Sequence, residues 1–163
     1  MAESHRKRRI MTGYNDVWSM NLLKVDKVDL ADKRKELMKL IGYYVSDCRL
    51  EITDDIEQWC EKNHLNIPDN VVFTNRIAVA VHSDNCKVIL LKRNVSCGEM
   101  ISIITLLCIR SFNEDVESLL QNPWDFVRHT VLHEIAHLIN NWNQSREGDC
   151  DKWAFDQLAY ITQ

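Results

Sequence analysis

His133-Glu134-Ile135-Ala136-His137, set inside the apolar run Phe126 to Ile139, is the stretch on which the reading of this chain turns. On a helix, residues four apart share a face and are separated by roughly 6 Å along the axis. Two imidazoles so placed can converge on one metal ion, each about 2.0–2.1 Å away if that ion is zinc. Glu134 follows the first histidine and is placed to act as general base on a metal-activated water. A helix suits this work because it fixes all three side chains on one rigid rod. The local pattern predicts that the helix opens at Asn122-Pro123-Trp124-Asp125: a cap residue, a proline in the first turn and an acid at the third position. It is expected to run to about Ile139 and to break at Asn140-Asn141.

A hydrolytic site of this type needs a third protein ligand and an open position for water. Beyond the polar linker Trp142 to Arg146, a last helix carries Trp153, Ala154, Leu158 and Ala159, and at its head stands Glu147-Gly148-Asp149-Cys150-Asp151. Glu147 and Asp151 resemble the ExxxD element of thermolysin-type gluzincins. Cys150-Asp-Lys-Trp-Ala154 is similar to the second half of the ExEA(D/N)xFA helix of small bacterial and phage HExxH metallopeptidases. The resemblance implies that Glu147 binds the metal and that Asp151, one turn on, hydrogen-bonds the outer nitrogen of a ligating histidine. A second alignment competes. Arg146 to Trp153 is similar to the REGHGPxF segment of Spartan-type proteases, which act on DNA-bound proteins, and this implies a ligand at Asp149, where that pattern has histidine. Glu147 is the preferred ligand because it keeps the chemistry of its pattern; Asp149 is the alternative. Both resemblances cover only the C-terminal part of the chain.

His129 stands one turn before His133 on the same face. Support of the site from behind is one reading; a satisfied core or surface histidine is the expected one. Asp125 and Arg128 are assigned to the helix start and the surface.

Working outward, Ser96-Cys-Gly-Glu99 has capping-box spacing ahead of Met100 to Ile109, a run apolar nearly all round that predicts a fully buried helix. Val71 to Val81 reads as a strand, Ser83-Asp-Asn85 as a turn and Cys86 to Lys92 as the returning strand of a hairpin. His82 is expected at the strand-end surface. From Asp29 to about Cys48 a helical stripe of Leu30, Leu37, Leu40, Ile41 and Tyr44 opposes Lys33, Arg34, Lys35 and Glu36. Thr53 is read as the start of a short helix with Ile56, Trp59 and Cys60 inward, ended by Asn63-His64 and the turn Pro68-Asp69-Asn70. His64 is taken as a polar loop residue. Residues 1–28 are assigned to a basic arm. In it Arg6-Lys7-Arg8-Arg9 is a solvated terminus with at most weak attraction to nucleic acid, and Tyr14, Val17, Trp18, Met20, Leu22 and Leu23 form an apolar patch.

At 163 residues the chain is expected to form one domain, with residues 29–163 folded around a core. An apolar share of 45% with 27% charged residues excludes a disordered or membranous class. The net charge of −4 argues against general affinity for nucleic acid. No membrane-length apolar span and no secretory signal is recognised. Six cysteines without a CxxC pair read as reduced, mostly buried thiols, which implies a cytoplasmic setting.

These readings converge on an α+β, zincin-like domain with helices packed on a small hairpin or sheet and a metal site between two antiparallel C-terminal helices. The implied activity is that of a zinc-dependent metallopeptidase: His133, His137 and Glu147 hold Zn2+, Glu134 acts as general base, and a protein or peptide is the substrate. The hairpin of residues 71–92 is the expected docking edge for an extended peptide. His₂-carboxylate sites also suit iron, although HExxH on one helix is mainly a zinc arrangement. The alternatives are a catalytically silent, zinc-stabilised binding module and a Spartan-like protease. Tyr43, Tyr44, Tyr160 and His82 are unassigned candidates for oxyanion stabilisation.

Overall fold

A computed structural model of the protein describes residues 24–65, 76–83 and 85–163. The basic run Arg6 to Arg9, the patch Tyr14 to Leu23, the turn at Pro68-Asp69-Asn70 and the start of the strand expected from Val71 lie outside the described residues. The element order is β1 (Lys27–Asp29), α1 (Arg34–Tyr44), β2 (Cys48–Thr53), α2 (Ile56–Lys62), β3 (Ala78–Ser83), β4 (Cys86–Lys92), β5 (Asn94–Ser96), α3 (Cys97–Ile109), α4 (Asn113–Leu119), α5 (Pro123–Asn140), a 3-10 turn (Gln144–Arg146) and α6 (Glu147–Ile161). The fold is mixed α+β.

β4 is the centre of a three-stranded sheet, parallel to β2 on one side and antiparallel to β3 on the other. Both faces of β4 are covered, which explains its unbroken apolar run. Ile89 and Leu91 join the main core beneath the helices, whereas Val88 and Leu90 pack with Ile56 and Cys60 of α2 on the other face. β1 and β5 pair antiparallel in a separate two-stranded ribbon.

Three expectations are corrected. Cys48 to Thr53 is a strand, not a helix end followed by a helix start: Cys48 and Leu50 are buried on either side of exposed Arg49. The helix after it is capped by Asp55, whose side chain accepts from the Gln58 N–H at 2.9 Å. Lys27 and Val28, assigned to the arm, pair with Ser96 and Val95. α3 begins at the expected capping box but is not fully buried: Met100, Ile101, Ile104 and Leu107 face the core, while Leu106 is partly exposed and Ile109 is 74% exposed. α4 has no counterpart in the sequence reading.

α5 forms as its capping residues predict. The Asn122 side chain accepts from the Asp125 N–H at 2.9 Å, Pro123 occupies the first turn, and the helix ends at Asn141 in the left-handed region. Asparagine tolerates that conformation, so it reverses the chain without a glycine. Phe126, Val131, Leu132, Ile135 and Ala136 are buried to 1% exposure or less. α5 is therefore held rigidly against the sheet and α1. Among the described residues no helix is long and apolar enough to cross a membrane.

Candidate metal centre

The motif helix α5 and the final helix α6 face each other through their polar side chains. His133 Nδ1 lies 2.6 Å from Asp151 Oδ1, and His133 Nε2 lies 2.9 Å from Glu147 Oε2. His137 Nε2 lies 3.2 Å from Glu147 Oε1, and its Nδ1 is 2.7 Å from the Trp142 carbonyl oxygen. Contacts that ascend one helix descend the other, so the two helices run antiparallel. Each imidazole has its outer nitrogen engaged by a neighbour, and each turns Nε2 towards the same carboxylate.

His133, His137 and the buried Cys150 form a group that could hold a metal ion, their ligand atoms lying within 4.8 Å of one another. Glu147 is not a member of that group, but its two oxygens lie 2.9 and 3.2 Å from the Nε2 atoms of His133 and His137. Asp149 is not brought to the histidines; it is half-exposed and paired with Arg146 in the first turn of α6. Asp151 is buried and doubly engaged, since its Oδ2 accepts from Arg110 at the end of α3, 2.6 Å away.

The electrostatics of this cluster favour cations. Burial alone would lower the pKa of His133, but the carboxylates of Asp151, Glu147 and Glu134 raise it to about 10. Burial opposes His137 likewise, and Cys150, Glu147 and Glu134 carry it up to about 11. Desolvation would raise Glu147 and Asp151, yet their imidazole partners hold both below the usual carboxylate range. These neighbours favour protons on both rings. A divalent ion can take the place of those protons.

Glu134 is buried and reaches the sheet beside α5. Its Oε2 accepts the Ala80 N–H of β3 at 2.7 Å. The Lys92 N–H donates to the Ile77 carbonyl, so residues 79 and 81 continue the bonding to β4 while 78, 80 and 82 turn their backbone groups outward. Among the described residues β3 is an edge strand of its sheet, and Glu134 is tied to that edge.

A cleft runs over this centre in two lobes. One, of about 320 Å³, passes between α5 and the apolar side of α3, with Ile103, Leu106 and Leu107 on its wall and His129 and Arg110 deeper in. The other, of about 290 Å³, lies between β3 and the α5–α6 turn, beside His82 and Trp142. Arg76, Glu134 and Glu147 border both.

His129 is a core histidine, as expected, but not a satisfied one. It is 2% exposed, neither ring nitrogen has a hydrogen-bond partner among the described residues, and its ring lies 4.2 Å from that of Phe155. Burial lowers its pKa to about 4. Arg128 is not a plain surface residue either: it is largely buried and paired with buried Asp125. Of the unassigned candidates, Tyr43 and Tyr160 are exposed and Tyr44 donates to Gln157, whereas His82 reaches the cleft. His64 sits in a loop after α2, as read.

Comparison of the chain with protein-family models, with curated proteins and with solved structures finds no match. Sequence reasoning missed Cys150, Arg110, Arg76 and the Ala80 N–H. Only Cys150 carried a signal, through its place three residues after Glu147 on one helical face.

Proposed function

We infer that the protein is a zinc-dependent peptidase with a zincin-like arrangement of helix, edge strand and metal site. The observation that carries this reading is a double convergence. Both Nε2 atoms of the HExxH pair meet the carboxylate of Glu147, and the intervening Glu134 is bonded to β3, an edge strand among the described residues. The donor set suits zinc. In a tetrahedral centre with bonds of about 2.0–2.1 Å, neighbouring donors stand about 3.3 Å apart. The imidazole nitrogens lie 2.9 Å from one oxygen of Glu147 and 3.2 Å from the other, spacings of that order. His133, His137 and Glu147 would hold the ion, with Asp151 and the Trp142 carbonyl fixing the ring tautomers.

Zinc in that position supplies a Lewis acid that polarises a carbonyl and acidifies water. The protein's own groups do the rest. Glu134 accepts the proton of the attacking water on the oxygen not held by Ala80 and passes it to the leaving amine. The Ala80 N–H keeps the carboxylate turned to that task. An extended peptide is received along β3, where Ala78 and His82 present backbone groups, and Ala80 its carbonyl, away from β4. Arg76, at the junction of the two lobes, is placed to meet negative charge developing on the substrate.

The test is Glu134→Gln. Zinc content should be unchanged while hydrolysis of an unfolded protein substrate falls by at least about 10²-fold, the low end of what a general base contributes. Undiminished cleavage by that variant would remove Glu134 from the mechanism.

A further inference from the structure

Cys150 is the one donor of the cluster that hydrolysis leaves unused. It follows Glu147 by three residues and precedes Asp151 by one, so all three project from neighbouring positions on α6. The residue is fully buried and lies beside the two motif histidines. The sulfur lies within 4.8 Å of ligand nitrogens on both His133 and His137. Among the described residues, no other cysteine belongs to a group of three metal donors.

We propose that Cys150 is a fourth protein ligand, which completes a His₂-Glu-Cys tetrahedron and closes the position that hydrolysis needs open. This rests on the reading of His133, His137 and Glu147 as ligands and adds a resting state to it. A nitrogen and a sulfur on one zinc ion, at about 2.05 and 2.3 Å, stand about 3.6 Å apart, so a side-chain adjustment of roughly an ångström at most brings the sulfur to ligand distance beside the two histidines. The thiol gives its proton to solvent as the sulfur–metal bond forms, and regains one when that bond breaks; no electrons change hands. Thiolate is a ligand zinc accepts readily, and four protein donors are the mark of a structural site, three of a catalytic one. The centre is therefore latent as folded, and turnover requires sulfur to leave.

Cobalt(II) titration of the metal-free full-length chain tests this without reference to activity. The expected spectrum combines visible d–d bands with an intense near-ultraviolet thiolate-to-cobalt band. In Cys150→Ser the d–d bands should persist and the thiolate band should vanish. Zinc-edge X-ray absorption of the wild type needs no variant and should find one sulfur at about 2.3 Å. Acetohydroxamate, which binds an open position, should perturb the cobalt spectrum of Cys150→Ser at concentrations at least tenfold lower than for the wild type. Bound cobalt with d–d bands but no thiolate band, or equal hydroxamate sensitivity of the two proteins, overturns the closed centre and leaves the peptidase reading intact. Failure of the folded chain to take up cobalt at all overturns both.

Discussion

Asp151 shows how much one side chain can decide. One of its oxygens meets His133 and the other meets Arg110, so it sets the imidazole's tautomer while being fixed by a cation. Asp151→Asn keeps the shape but loses the charge. Zinc affinity is expected to fall by about 10–100-fold, the usual cost of losing such an outer partner, and competition with a chromogenic chelator measures it. His129 is the opposite case, a polar ring buried without hydrogen-bond partners among the described residues. An unsatisfied buried group costs about 1–3 kcal/mol, so His129→Leu is expected to be neutral or stabilising in urea titrations. A large loss would mean that its nitrogens find partners in solution. The pH dependence has a definite sign. With a native pKa near 4 against 6.5 for the free group, the unfolded chain takes up the extra proton between those values. His129 should weaken the fold as pH falls from about 6.5 to about 4 and change nothing further below that; His129→Leu should flatten this part of the stability profile.

Elements differ in how far their residues announce them. α5 was legible because cap, proline, acid and apolar period agree locally, and Asn122→Ala should cost about 1 kcal/mol in thermal or denaturant unfolding. The side chains of Glu147 and Asp151 could be placed for the same reason, since helical spacing turns sequence distance into direction. β2 was hidden. Its alternation of Cys48, Leu50 and Ile52 is brief, charged residues interrupt it, and its partner Lys87–Lys92 lies far along the chain. α3 was misjudged from composition alone: an all-round apolar helix implied full burial, but the side that misses the core lines a cleft. Ala80 could not have been found, because it acts through its backbone. Ala80→Pro isolates that role. Its N–H faces away from β4, so proline removes the bond to Glu134 without removing one from the ladder. Peptide hydrolysis should drop while zinc content stays level, a pairing read by activity assay beside metal analysis.

Across the molecule, an ion held between α5 and α6 would add to the polar contacts of His133, Glu147 and Asp151 and to apolar packing by residues such as Leu132, Ile135, Ala154 and Leu158. Binding to the folded chain alone stabilises it by mass action, about 2.7 kcal/mol when free metal is a hundredfold above its dissociation constant. Chelation should therefore lower the melting temperature, and calorimetry with and without zinc measures the drop; an unchanged temperature would mean the ion contributes nothing to the fold. Arg110 carries a further consequence. It stands at the end of the helix that walls the larger lobe, and its guanidinium grips the carboxylate behind His133. Guest and ion would then sense each other without touching: a side chain wedged beside Leu106 shifts that helix, slackens the guanidinium's hold and alters how firmly the imidazole donates. Nitrogen chemical shifts of His133, followed while short apolar peptides are titrated in, would register this remote signal, and shifts that stay put would refute it.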